Sequence, residues 1–196
     1  CNLRNDGVQV LSEAKRYIRA TIRVLATNLR LGIGKVAHGK KLKFHPATCL
    51  ALSDEITISR NARVNFGRGL RTRGGCVFNV QEEGHLRFGR GVFLNRGCQI
   101  NCHYQVSVGE HCEFGPNVLV FDHDHFFKDG ELKAKDFQYG AISIGDGCWI
   151  GANAIILRGT EIGEHSVIAA GSIVKGKIPP NSLVLQKRDT EIRHVG

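Results

Sequence analysis

The chain has 196 residues, with 27 Lys+Arg against 18 Asp+Glu, 7 Cys, 24 Gly and no Met. That length suits one domain with an appended element, and a composition of 42% hydrophobic and 23% charged residues excludes a disordered or fibrous chain. No stretch approaches the roughly 20 apolar residues that span a bilayer, and the first apolar run is broken by charges within a few residues, unlike a secretory leader.

The net charge of +9 is unevenly placed: residues 1–90 carry 17 Lys+Arg and 6 Asp+Glu, residues 91–196 carry 10 and 12. The whole basic excess lies in the first half and invites an anionic partner. Nucleic acid would want interleaved exposed aromatics or a recognition helix, and neither is evident, so no nucleic-acid partner is expected. A phosphorylated or lipid-pyrophosphate-linked small molecule is the more economical anion.

In chain order, residues 1–38 form a basic amphipathic segment. Val10, Leu11, Ala14, Ile18, Ile22, Leu25 and Leu29 recur at three- and four-residue steps, which predicts a helix over 9–31 ending near Gly32-Ile33-Gly34. Lys15, Arg16, Arg19, Arg23 and Arg30 fill much of the rest. Such a helix can cap the element that follows or make peripheral contact with an anionic membrane surface. The cap is the expected role.

Residues 39–178 carry an internal repeat. From Ile144 an aliphatic residue recurs at every sixth position, through Ile150, Ile156, Ile162 and Ile168 to Val174, and Cys148, Ala154, Thr160, Ser166 and Ser172 supply a small partner four places after the first five. A six-residue period fits neither an amphipathic helix nor a simple alternating strand. It describes short strands joined by tight turns, three per coil, stacking into a parallel β-helix, an all-β fold, and with hexapeptides of this type the coil resembles the left-handed parallel β-helix. Phe88, Leu94, Ile100, Val108, Phe114 and Val120 keep the pattern less strictly, and the eight-residue step from Ile100 to Val108 suggests an insertion at one corner. Residues 122–143 break the period with charged and aromatic residues and are expected to protrude as a loop carried by a rigid scaffold. Pro179-Pro180 ends the coil, and residues 179–196 form a tail with Lys187, Arg188 and Arg193. The scattered cysteines, without a CxxC pair, suggest small buried thiols in a reducing cytoplasm.

Phe121-Asp-His-Asp-His125, then Ile144-Gly-Asp-Gly-Cys-Trp-Ile-Gly-Ala-Asn-Ala-Ile-Ile156, then Ile168-Ala-Ala-Gly-Ser-Ile-Val-Lys175 with Ile178-Pro-Pro-Asn181 resemble the hexapeptide-repeat acyltransferases. Over residues 88–193 the chain is similar to the galactoside and maltose O-acetyltransferases, and more so to the O-acetyltransferases of capsular and surface polysaccharides. The resemblance implies a homotrimer that uses acetyl-CoA as co-substrate, with no metal, and acetylates a hydroxyl of a sugar or glycan. It implies His125 as general base, 24 residues before Trp149, with His123 the alternative. It implies Asn95 at the acceptor and transition state, Trp149 as an aromatic wall, Ala152, Ala170 and Lys175 along the pantetheine arm, and Arg193 at the nucleotide end of CoA; a second tail Arg of the family falls at Thr190 here, with Lys187 and Arg188 close enough to substitute. His103 occupies the position of a family acidic residue near the acceptor, where His123 and Asp124 are also expected.

The chemistry suits these residue types. An imidazole with an ordinary pKa near 6.5 can take a hydroxyl proton at neutral pH, and an Asn amide or a backbone N–H can steady a developing oxyanion. Alternation along a strand puts Asp124 on the side opposite His125. A metal shared by His103, His123, His125 or His165 is a weaker reading, because known paired ligands of this fold are spaced more widely than His-x-His. Two other functions fit the repeat: N-acetylation of an amino sugar, and a non-catalytic scaffold. The localisation expected is cytoplasmic, with the N-terminal helix able to touch the inner face of the membrane.

Overall fold

The computed structural model describes residues 3–128, 130–187 and 191–193. From Leu42 onward the chain winds as a left-handed parallel β-helix of triangular section. The first face is a seven-stranded sheet of Leu42–Phe44, Arg63–Phe66, His85–Phe88, Gln105–Val108, Ile142–Ile144, Glu161–Ile162 and Lys177–Ile178. The second, six-stranded, runs through Arg71–Thr72, Phe93–Leu94, Glu113–Phe114, Trp149–Ile150, Val167–Ile168 and Leu183–Val184. The third, also six-stranded, comprises Glu55–Ile58, Val77–Val80, Gln99–Cys102, Leu119–Phe121, Ile155–Leu157 and Ile173–Val174.

The coil length changes along the axis. Paired residues stand 22 positions apart early (Arg63 with His85, Val77 with Gln99) and 18 apart late (Trp149 with Val167, Ile155 with Ile173). Early strands on the first and third faces have four residues, two of them inward, as in Gln99–Cys102 and Gln105–Val108. The eight-residue step from Ile100 to Val108 is therefore the long form of the rung, not an insertion at a corner. The wider coils admit larger side chains: Phe66, Phe78 and Phe88 pack with centroids 5.3 to 6.2 Å apart. In the tighter coils Ile150, Ile156 and Ile168 fill the core with Ala154, Ser166 and Ser172. The buried Thr160 and Ser166 hydroxyls donate to the Val174 and Pro179 carbonyls of the next coil, which satisfies groups that would otherwise be costly to bury.

The N-terminal helix spans Leu3–His38, running through Gly32 and Gly34 instead of ending there. A helical glycine costs about 1 kcal/mol relative to Ala, and burial against the first coil outweighs it. Leu31 is buried, and Gly34 allows a close approach, since an added Cβ would meet Leu42 Cδ2 at 3.2 Å. Polar side chains on the same helix face close the coil's open end: Arg23 and Arg30 donate to the Thr72 and Asp54 carbonyls at 2.6 Å, and Asn28 to Pro46 O at 2.8 Å. Thr27 both donates to Leu50 O and accepts from Leu50 N. The helix is a cap.

At the other end the coil outlasts Pro179-Pro180, because Leu183–Val184 pairs with Val167–Ile168. The prolines occupy a corner, where no ladder N–H is required. Five of the cysteines are buried and Cys49 is partly buried, all as free thiols.

Replacing the buried Phe78 with Ala should destabilise the chain by about 3–5 kcal/mol. Replacing Leu29, which is 69% exposed, with Ala should cost less than about 0.5 kcal/mol. Urea denaturation followed by far-UV circular dichroism measures both.

Candidate active site

His123–Lys128 pairs antiparallel with Glu131–Tyr139 as a hairpin, not an irregular loop. It projects from the corner between the third and first faces. Its register shifts between His125 and Phe126, a bulge that turns the strand.

Asp122 lies at the hairpin's root and is fully buried. Its carboxylate accepts from the backbone N–H of His103 at 2.9 Å and of Tyr104 at 2.8 Å, and its Oδ1 is 3.0 Å from His123 Nδ1. Burial alone would push the carboxyl up, but the bonds from His123, the two N–H groups and the Cys102 thiol hold it below the usual carboxylate range. Burial first, and the Asp122 carboxylate second, push the Cys102 thiol up.

His103 stacks face to face on His123, with centroids 3.6 Å apart and planes 14° apart. Phe137 meets both rings edge-on and lies tilted against His125 at 4.8 Å. Burial, then the neighbouring His123, lower the pKa of His103, and its Nδ1 is buried without a partner. His123 and His125 share one face of their strand, as two-residue spacing requires. They differ in anchorage: the His123 side chain is 12% exposed and bonded to Asp122, whereas His125 is exposed and takes no hydrogen bond among the described residues. Asp124, on the opposite face, pairs with Arg158, which also donates to Gln138 Oε1 at 2.7 Å. Arg158 thereby clamps both hairpin strands from the coil above. Among the described residues no three His, Cys, Asp or Glu side chains group to hold a metal ion.

The remaining candidates stand elsewhere on the triangle. Asn95 follows Phe93–Leu94 at the corner between the second and third faces, its Oδ1 accepting from Arg96 N at 2.9 Å. Ala152 and Ala170 continue that corner column. Trp149 projects from the second face, 56% exposed, between Glu113 and Val167. Lys175 is not on the alanine track, since it follows Ile173–Val174 at the hairpin's corner. Arg193 pairs with Glu191 in the exposed tail, and Arg188 lies outside the described residues. One chain therefore brings His103, Asp122, His123 and His125 together, but holds Asn95, Trp149, Ala152 and Ala170 one corner away. Sequence reasoning missed the carboxylate hub of Asp122 and the Arg158 clamp. Asp122 is silent in the repeat because it follows a strand like any corner residue.

Residues 141–176 match the family model described as bacterial transferase hexapeptide (six repeats). The galactoside O-acetyltransferase of Lactococcus lactis is 40% identical over 77 residues, 39% of this chain and 37% of that protein, so the chain spans well under half of that relative's length. The putative lipopolysaccharide biosynthesis O-acetyl transferase WbbJ of Escherichia coli is 27% identical over 136 residues, 65% of this chain and 69% of that protein. Among solved structures, a mutant of the N-acyltransferase AntD of Bacillus cereus, bound to dTDP and coenzyme A, superposes with a TM-score of 0.62 at 14% identity, covering 83% of this chain and 88% of that one. That identity speaks for the fold alone.

The two windows of acid instability follow from the folded pKa values. Because His103 is held low, the unfolded chain binds its proton first, and stability falls as pH drops below the ordinary value of about 6.5. Because Asp122 is also held low, its contribution is intact above about pH 3.9 and lost as pH falls through the folded value. Urea titrations across pH should show His103→Asn flattening the first window and Asp122→Asn the second. The repeats of residues 141–176 match the bacterial transferase hexapeptide model, and the chain that carries them resembles the hexapeptide-repeat acyltransferases.

Proposed function

We propose that the chain transfers an acetyl group from acetyl-CoA to a hydroxyl of a sugar or glycan. The observation that carries this is the bond between buried Asp122 and partly buried His123 at the hairpin root, supported by the O-acetyltransferase relatives. His123 is the better base of the two imidazoles. Asp122 fixes its ring through Nδ1, and Nε2 makes no hydrogen bond among the described residues. The acceptor hydroxyl gives its proton to Nε2 as its oxygen attacks the thioester carbonyl carbon. The imidazolium so formed is balanced by Asp122, and the tetrahedral oxyanion is steadied by the Asn95 amide and a backbone N–H near Ala152. The C–S bond then breaks, and the proton passes from Nε2 to the departing CoA thiolate. No acyl-enzyme is needed.

Asn95 and Ala152 belong to one corner of the triangle and His123 to another, so the machinery closes only where one copy's hairpin corner meets the next copy's alanine corner. A head-to-tail contact between two different corners of a three-sided rod closes as a ring of three. Trp149, exposed beside the alanine corner, would then wall the acetyl-CoA channel, and Lys187, Arg188 and Arg193 would hold its phosphates.

A thiol-release assay with acetyl-CoA and a panel of sugars, amino sugars included, tests this. His123→Ala should lower kcat by about 10²–10⁴-fold, while His125→Ala keeps most of it. The reverse outcome assigns the base to His125, and full turnover in both variants overturns the mechanism. Mixing inactive His123→Ala and Asn95→Ala chains after co-refolding should restore about a quarter of the sites. No recovery would sink the shared site.

The helix face opposite the cap supports a peripheral membrane contact. Ile18, Ile22, Leu25, Leu29, Ile33 and Val36 are all more than half exposed, and residues 14–53 contain no Asp or Glu. An apolar stripe flanked only by cations suits an anionic bilayer surface. Vesicles rich in phosphatidylglycerol should sediment the protein, and Ile22→Asp/Leu29→Asp should release it. Equal sedimentation of both proteins, or none of either, would exclude the contact.

A further inference from the structure

The strongest unassigned feature lies on the first face, in the early coils. A groove of about 590 Å³ is bounded by Lys40, Lys41, Lys43, Arg63 and Arg87, and no acidic residue lines it. We propose that this groove binds a phosphoryl or diphosphoryl group, and that the group it holds belongs to the acceptor. The second clause rests on the acetyl-transfer reading; the first does not.

The fold itself concentrates the charge. Lys43, Asn65, Arg87, Ser107 and Ser143 form one outward column by strand register, and Arg63, His85 and Gln105 form a second. Neighbouring strands stand about 4.8 Å apart, so Lys43 and Arg87 flank the short Asn65 across roughly 10 Å. That is room for an anion with the amide at its floor. Lys41 is already oriented, its Nζ donating to Arg60 O at 2.9 Å.

These cations are uncompensated. Among the described residues Lys40, Lys43, Arg63 and Arg87 make no ion pair. Higher on the same face Lys177 pairs with Glu161 at 3.2 Å, and at the next corner Arg90 pairs with Glu110 at 3.2 Å. Those two cations each have a carboxylate partner, whereas the five cations that line this one concave surface have none among the described residues. Like charges held together without counter-charge are unfavourable until an anion arrives. Arg supplies a planar fork that suits phosphate oxygens.

The groove also leads to the candidate site. Gln105 at its upper edge is two residues beyond His103, and Ser107 registers with Ser143 on the strand that the hairpin enters. A molecule with its phosphoryl end between Arg63 and Arg87 would extend its other end along the face toward the imidazole cluster. The groove is separate from the corner of Ala152 and Ala170, so it does not duplicate the proposed CoA track.

Isothermal titration of the full-length protein with inorganic pyrophosphate tests the first clause. The wild type should bind, Arg63→Ala/Arg87→Ala should bind about tenfold more weakly or worse, and Arg96→Ala, at another corner, should match the wild type. The unliganded double variant should melt no lower than the wild type, because its removal relieves repulsion. If it does not fold, Lys40→Gln/Lys43→Gln at exposed positions gives the same reading. Equal affinity in wild type and groove variants, or no binding at millimolar pyrophosphate, overturns the proposal. For the second clause, a sugar 1-phosphate should show a lower KM than the free sugar, and the advantage should vanish in the double variant. No advantage overturns that clause. Pyrophosphate binding without acetylation of any sugar would instead overturn the acetyl-transfer reading and leave the site standing. Phosphatidic acid vesicles against phosphatidylcholine vesicles separate the sources: capture that depends on Arg63 and Arg87 assigns a lipid-borne phosphoryl group, and soluble binding without capture assigns a free one.

Discussion

Everything in this molecule depends on coils stacking at the spacing of hydrogen-bonded strands. That spacing leaves no room for side chains where one corner sits directly over the next. At Gly145 an added Cβ would stand 2.5 Å from Glu164 N, and at Gly89 one would stand 2.7 Å from the Gly109 backbone. The interior is equally restricted, because each rung must present an apolar or small residue of matching size. Chemistry is therefore confined to three kinds of position: the outward residues of the faces, the corners, and segments that leave the coil altogether. The Asp122 cluster uses the last two, and the cationic groove uses the first.

That confinement explains what was legible in the sequence. The coil was readable because its rules are strict: Ile144 to Val174 keeps one residue type at one interval, and those side chains are buried. The early coils were blurred because four-residue strands on two faces lengthen the interval, so that inward Phe66, Phe78 and Phe88 stand 12 and then 10 residues apart. Helix 3–38 was foreseen as a cap but cut short at Gly32, since local propensity carries no information about Leu42 waiting across the gap. The hairpin looked like a loop because its strands pair only with each other and carry no repeat.

The site was half legible. His123 and His125 stood out by type and spacing, but the difference in their anchorage could not come from sequence. It lies in Asp122, bonded to His123, whose carboxylate is held under the hairpin by two backbone N–H groups contributed from the coil below. Nor could periodicity reveal that Asn95 and His123 occupy different corners, because position within a coil is lost when coil lengths run from 22 to 18 residues. Once the corners are assigned, a second copy is a geometric requirement of any mechanism that uses both.

The charge division along the chain then acquires a spatial meaning. Acetyl-CoA is itself a polyanion, and a phosphorylated acceptor would be another. Two such substrates bound in one cationic cleft would compete for it and repel each other across the few ångströms that transfer demands. A rod with three faces removes the conflict. Lys40, Lys41, Lys43, Arg63 and Arg87 line the groove on the first face, the alanine track belongs to later coils and a different corner, and the imidazole cluster lies between the two. Part of the uneven charge of the sequence is thus placed where a bisubstrate enzyme with two anionic substrates would need it, at a site of positive potential separate from the alanine corner.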